Sequence, residues 1–305
     1  AANATWKFIL SAPSIAGTYK VIFVNKKNDA GVATATDLSP LGGSITWTIT
    51  VAATNTTALG NSAAYLRTAS NDYSTGTALT DSAVVVSKTA LSTDLAPEAN
   101  IRVFERNATS TANESLTVTT TGPVYVSDAI GSSRPATPYI TAKYDSTATT
   151  AGSPIYVWAT GTAGKATVTV STVSGLLIAT KTIYFYGAVT KLANDTADLA
   201  PSTIVRKGGK TLSSAWLVAA TDAAGMPVTG LTPSCVPADV TVIASCSYVD
   251  EGDGTYLISL TSAVGSVSGK STTITSRVVD PAVTTSTAYL SAPAVTVTTG
   301  STVDT

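Results

Sequence analysis

Histidine is absent from all 305 residues. Its absence removes the commonest general base, the usual metal ligand and the nucleophilic triads that depend on imidazole. Charge is scarce as well: only 12% of residues are Asp, Glu, Lys or Arg, about half the usual share. The 18 basic and 19 acidic residues give a net charge of −1, and no basic run is longer than "NKKN" or "VRKGGK". Nucleic-acid affinity comes largely from clustered Lys and Arg that neutralise phosphates, so nucleic acid is not expected as a partner. Long apolar runs are missing too; none reaches the ~18 residues of a membrane span. No Walker loop is present, because "GKT" at Gly209–Thr211 lacks its upstream glycine. No signal peptide is visible and the first residue is Ala, which suits a processed secreted chain or a piece of one.

What remains is mostly hydroxyl and aliphatic. The chain holds 55 Thr and 34 Ser, and 44% of it is hydrophobic. Thr and Val are stiff at the first side-chain torsion and fit a pleated surface. Good helix formers such as Glu, Leu and Lys are few. The expected fold class is all-β.

The polar surface is organised into strands of period two. In "GTYKVIFV", Tyr19, Val21 and Phe23 fall on one face; in "GTYLISLT", Tyr256, Ile258 and Leu260 do the same. One packed face and one wet face is the pattern of an antiparallel sandwich. A Tyr opening a late strand resembles the tyrosine corner of immunoglobulin-like folds. Each GTY phrase is followed by a T-I-T strand ("SITWTITVAA", "STTITSRVV") and then by "SAAYL" or "STAYL". The shared order reads as a repeated unit. It predicts an array of tandem sandwiches: 1–57 the back of one, 58–188 and 189–281 two complete units, and 282–305 the opening of another. The 58–188 unit is long for one sandwich, so an inserted loop is expected around Gly131–Ser146.

"ATDAAGMPVTG" followed by "DEGDGTYLISLTSAVGSVSG" resembles bacterial Ig-like repeats of the invasin and filamin kind. Asp222, Gly225, Pro227 and Val228 match an early Asp-x-x-Gly-x-Pro-Val turn. Asp253, Gly254, Thr255 and Tyr256 match a late Asp-Gly-Thr-Tyr strand. The match covers about residues 204–280. The Thr/Ser/Ala/Val bias also resembles tandem regions of prokaryotic surface-layer and cell-surface proteins. The resemblance implies immunoglobulin-like β-sandwich domains in an elongated array, with no catalytic residues to carry over.

Few residues offer chemistry. Cys235 and Cys246 read either as two buried thiols or as a local disulfide closing a short hairpin, which would imply an oxidising compartment. Asp250, Glu251 and Asp253 in "VDEGDG" read either as a solvated turn or as a calcium loop, since clustered carboxylate oxygens suit that cation. Five asparagines stand in Asn-x-Ser/Thr frames: Asn3, Asn55, Asn107, Asn113 and Asn194. They are candidate glycosylation sites, and in a Thr-rich chain they are also what composition produces. Trp6, Trp47, Trp158 and Trp216 each lie in an alternating strand, which favours core packing over a sugar-binding row.

The expectation is a non-enzymatic, extracellular structural protein of a prokaryotic cell surface: a surface-layer subunit that assembles with copies of itself. No cofactor is expected beyond calcium. The alternatives are the stalk of an adhesin or phage fibre and a glycan-binding module of a secreted enzyme, the last requiring an exposed row of Trp or Tyr such as Trp158; cell-wall glycan is the candidate partner beside further copies of the chain.

Overall fold

The computed structural model describes residues 17–26, 40–51, 62–69, 79–89, 96–106, 114–131, 135–142, 152–195, 204–282 and 288–301. Among them the regular secondary structure is strand, apart from one helical-turn residue, with turns and irregular segments between the strands. None forms a helix long and apolar enough to cross a membrane.

The first two strands, β1 (Gly17–Lys26) and β2 (Pro40–Val51), form an antiparallel pair. Tyr19, Val21 and Phe23 lie opposite Ile49, Trp47 and Ile45, which makes one face of the pair apolar. Thr18 and Lys20 face Thr50 and Thr48 on the other side. The Phe23 and Trp47 rings meet edge to face at 4.7 Å, yet Trp47 keeps 47% of its surface exposed.

A first sandwich follows. One sheet is built from β3 (Ala63–Thr68), β5 (Ala99–Phe104), β9 (Ser153–Ala159) and β7 (Val124–Ser127), in that order. The other runs β4 (Val85–Ser87), β11 (Leu177–Tyr186), β10 (Gly164–Thr172), β6 (Leu116–Thr121) and β8 (Tyr139–Ala142). Alternation sets the core: Ile101 and Val103, Ile155 and Val157, Val168 and Val170, and Ile183 and Phe185 are all fully buried between the sheets.

The second sandwich has its own core. Its sheets run β12 (Val189–Asp195), β14 (Thr211–Asp222), β17 (Thr255–Ser262), β16 (Ile243–Asp250), and β13 (Ile204–Arg206), β20 (Val295–Gly300), β18 (Ser271–Val279), β15 (Ser234–Pro237). A short β19 (Tyr289–Ser291) also pairs with β18. The expected inward face of β17 is observed: Tyr256, Ile258 and Leu260 are fully buried, packed with Trp216, Val218 and Ile274. A four-stranded sheet packed on a five-stranded one, closed by a late Tyr, makes an immunoglobulin-like sandwich.

Three expectations are corrected. The two GTY phrases do not occupy equivalent positions. β1 pairs directly with the T-I-T strand β2, whereas β17 and the T-I-T strand β18 lie in opposite sheets. Residues 289–300 do not open a further unit. They supply β19 and β20 to the second sandwich, where β20 pairs with β18 and runs parallel to β13. Within the expected inserted loop, Tyr139–Ala142 is the edge strand β8, paired to β6. In each case period-two alternation specifies a strand but not which neighbour it pairs with.

Candidate functional site

The joint between the sandwiches carries a buried, hydrogen-bonded polar site. β11 ends at Tyr186 and β12 begins at Val189, so only Gly187 and Ala188 separate the two units. Asp222, the last residue of β14, reaches back to this step. Its Oδ2 accepts the Gly187 N–H at 2.7 Å. Its Oδ1 accepts the N–H groups of Ala224 at 2.9 Å and Met226 at 2.8 Å. The carboxylate is buried, and N–H donors to an ionised acceptor are the strong class of hydrogen bond.

The local sequence explains the geometry. Asp222–Gly225 makes a turn in which the Gly225 N–H bonds the Asp222 carbonyl at 3.0 Å, with Gly225 at φ 76. Such a left-handed position favours glycine. The chain then returns through Pro227 and Val228, whose N–H bonds the Ala220 carbonyl at 2.9 Å. Thr229 places its hydroxyl 3.4 Å from both the Val85 carbonyl and the Tyr186 hydroxyl of the first sandwich. Tyr186 packs against the second core, so the joint is closed by apolar contact as well as by hydrogen bonds.

The two matched motifs meet in space. Gly254 has φ 93, and a Cβ there would overlap Pro227. The Gly254 carbonyl accepts the Ala220 N–H at 2.9 Å. Replacing Gly254 by Ala should therefore cost at least about 2 kcal/mol, from backbone strain together with overpacking. A lower denaturant midpoint in G254A would show it; an unchanged midpoint would count against the tight approach.

Tyr256 ties the same region from inside. Its hydroxyl donates to the Val228 carbonyl at 2.9 Å and accepts the Leu231 N–H at 3.1 Å. Burial pushes its pKa up to about 12, and burial does the same for Tyr248. Both values stand above the ordinary ~10 of an unfolded chain. The folded state then holds these protons more tightly, so the contribution is intact below pH 10 and is lost as pH rises through 12. Thermal melts should show the second sandwich weakening across that window, less steeply in a Tyr248→Phe/Tyr256→Phe variant. Tyr256→Phe alone should cost about 1–2 kcal/mol for the two lost hydrogen bonds.

The remaining candidate residues fall as follows. Cys235 and Cys246 form a disulfide with a Cα–Cα distance of 6.3 Å. It does not close a hairpin: β15 and β16 are edge strands of opposite sheets, so the bond spans the open flank of the sandwich. Beside it lies a cleft of about 440 Å³ lined by Leu231, Pro233, Tyr248, Asp250 and Tyr256, among others. Asp250, Glu251 and Asp253 do not converge as a cation loop. Asp250 accepts the N–H groups of Gly230 and Gly252, and Asp253 accepts the N–H and hydroxyl of Thr255. Among the described residues no group of three or more Cys, Asp or Glu side chains stands close enough to hold a metal.

Asn194 lies in β12 and donates from Nδ2 to the Pro293 carbonyl at 2.8 Å. Asn3, Asn55, Asn107, Asn113 and Trp6 lie outside the described residues. Trp216 is in the second core, and Trp158 is 1% exposed on the face of β9 turned away from the first core. Neither presents a ring to a polysaccharide.

The sequence reading singled out Asp222 as part of a turn but missed its bond to Gly187, 35 positions away.

No family model matches the sequence, and no curated protein matches it. Among solved structures, invasin, a bacterial integrin-binding protein, is 18% identical over 67% of this chain, with a TM-score of 0.27. The chain spans 36% of invasin's length. FdeC, an Escherichia coli adhesin, is 17% identical over 81% of this chain and 68% of its own, with a TM-score of 0.32. A glycosyl hydrolase family 2 member from Bacteroides cellulosilyticus is 11% identical over 78% of this chain and 29% of its own, with a TM-score of 0.36.

Proposed function

We propose that the chain is a non-enzymatic structural element of a prokaryotic cell-surface layer, placed outside the cell and assembling with copies of itself through its Ig-like domains. The observation that carries this reading is the serial joint: two sandwiches separated by two residues and held by the buried Asp222 carboxylate. A short step with hydrogen bonds across it limits bending between neighbours, which a coat or stalk requires and a solitary domain does not. The disulfide supports an oxidising compartment. A surface built from hydroxyls rather than charges allows subunits to crowd with little mutual repulsion.

Electron microscopy of the purified chain and of the native cell surface tests the reading. Ordered two-dimensional sheets are the expected result. Isolated fibres, or a monomer at every concentration, would replace the coat with a stalk whose ligand site lies elsewhere.

A further inference from the structure

The far end of the second sandwich is a compact three-loop tip. It comprises the turns 207–210, 238–242 and 263–270. Buried hydroxyls lock these loops together. Ser262 Oγ donates to the Arg206 carbonyl and accepts the Lys210 N–H. Ser266 Oγ accepts the Gly208 N–H. Thr299 Oγ1 donates to the Val267 carbonyl, and Thr272 Oγ1 accepts the Asp239 N–H. On this frame Val264 is 87% exposed, Val240 63% and Val267 53%. Lys207, Lys210 and Lys270 lie on the same loops, with Asp239 their one carboxylate. These three outward valines on well-tied loops lie outside the core of the sandwich.

The opposite end has the reverse character. Asp250, Glu251 and Asp253 are exposed on the turn between β16 and β17, beside Val249, which is 55% exposed. Turn hydrogen bonds fix Asp250 and Asp253 without neutralising them. One end of the domain is therefore cationic and aliphatic, and the shoulder beside the inter-sandwich joint is anionic with an aliphatic neighbour.

The joint already shows this polarity. Lys88 follows the short strand β4, its N–H bonds the last residue of β11 at 2.8 Å, and its side chain lies against Gly187. Lys207 follows β13 in the same way, its N–H bonding the last residue of β20 at 3.3 Å. At the joint, Lys88 of the first sandwich and Asp222 of the second both lie against Gly187, and Lys207 holds the corresponding place after the short strand β13 of the second sandwich.

We propose that this tip docks a second copy of the chain, with Lys207, Lys210 and Lys270 against its Asp250–Asp253 turn and Val264 and Val267 against its Val249. The contact is head to tail, so it leaves a tip and a shoulder open at the two ends and propagates. It rests on the self-assembly reading and names the surfaces that carry it.

Sedimentation and light scattering of the full chain test it across a salt series. Association should rise with protein concentration and weaken at least tenfold as salt increases, because exposed charge pairs are screened. A Lys207→Glu/Lys210→Glu/Lys270→Glu variant should lose association, and Glu251→Lys should weaken it; each should melt like the parent. Mixing the two variants should restore hetero-association, an outcome that mere misfolding cannot produce. Val264→Asp should also abolish it. Association or sheet formation that is unchanged in the tip variants overturns this contact while leaving the coat reading intact. A parent chain that stays monomeric at low salt and forms no sheets overturns both. Binding of the tip to anionic phosphatidylglycerol vesicles, with no self-association, would assign it to a lipid surface instead and overturn the proposal.

Discussion

Replacing Asp222 by Ala is expected to lower the stability of the second sandwich by about 3–4 kcal/mol, the largest single-residue effect in the polar framework. The carboxylate accepts three backbone N–H groups, from Gly187, Ala224 and Met226, in a buried position. Deleting it leaves buried donors without acceptors, at about 1–3 kcal/mol each before water enters. The damage should be split between two observables. The Ala224 and Met226 bonds hold the turn, so their loss shows as a lower denaturant midpoint. The Gly187 bond holds the joint, so its loss shows as faster amide exchange at Gly187 and a broader interdomain distance distribution between spin labels on the two sandwiches. Asp222→Asn separates the two: one amide oxygen can still serve the turn, while the amide nitrogen cannot accept from Gly187. A variant with normal joint distances would remove Asp222 from the role assigned to it.

Breaking the Cys235–Cys246 bond is expected to cost about 3 kcal/mol by the chain-entropy estimate for a loop of this length. The bond links residues 11 apart in sequence. Its position adds a second consequence. β15 and β16 are the edges of opposite sheets, and β15 has only four residues. Without the covalent tie, short edge strands are the first to separate from their partners. Cys235→Ser/Cys246→Ser should therefore melt lower and should expose β15 amides to exchange before those of β14 or β17. If only the global midpoint moved and β15 stayed protected, the bond would act on the unfolded chain alone.

The tip and the joint place opposite demands on the same domain. Asp250 shows the overlap. Its Oδ2 accepts the Gly230 N–H at 2.7 Å, which steadies the loop carrying Thr229 toward the first sandwich. It also stands on the anionic shoulder offered to a second copy. Glu251, whose carboxylate has no such structural duty in the described hydrogen bonds, is the cleaner position for charge reversal.

Much of the architecture was legible in the residues. The alternation of Tyr256, Ile258 and Leu260 named the inward face of β17, and the Asp-x-x-Gly-x-Pro-Val run named the turn after β14. The repeated phrases misled in one respect. "GTY" followed by "TIT" marks two strands in succession, but β1 and β2 pair with each other while β17 and β18 face each other across a core. The cysteine spacing likewise suited a hairpin and proved to cross between sheets. "TSAVGSVSGK" gives no sign that Val264 and Val267 would be left outward on the same tip as Lys207 and Lys210 of another loop.

Sequence alone determined that this chain would be stranded, two-faced, poor in acid–base chemistry and built in successive units. Those properties follow from side-chain shape, alternation and composition, which act over a few neighbouring residues. The choice of partner for each strand, the bond from Asp222 to Gly187, the sheet-to-sheet disulfide and the gathering of Val240, Val264, Lys207 and Lys270 on one tip were decided only by the tertiary structure. Each depends on which distant segments the two cores bring together, and a local pattern holds no record of that.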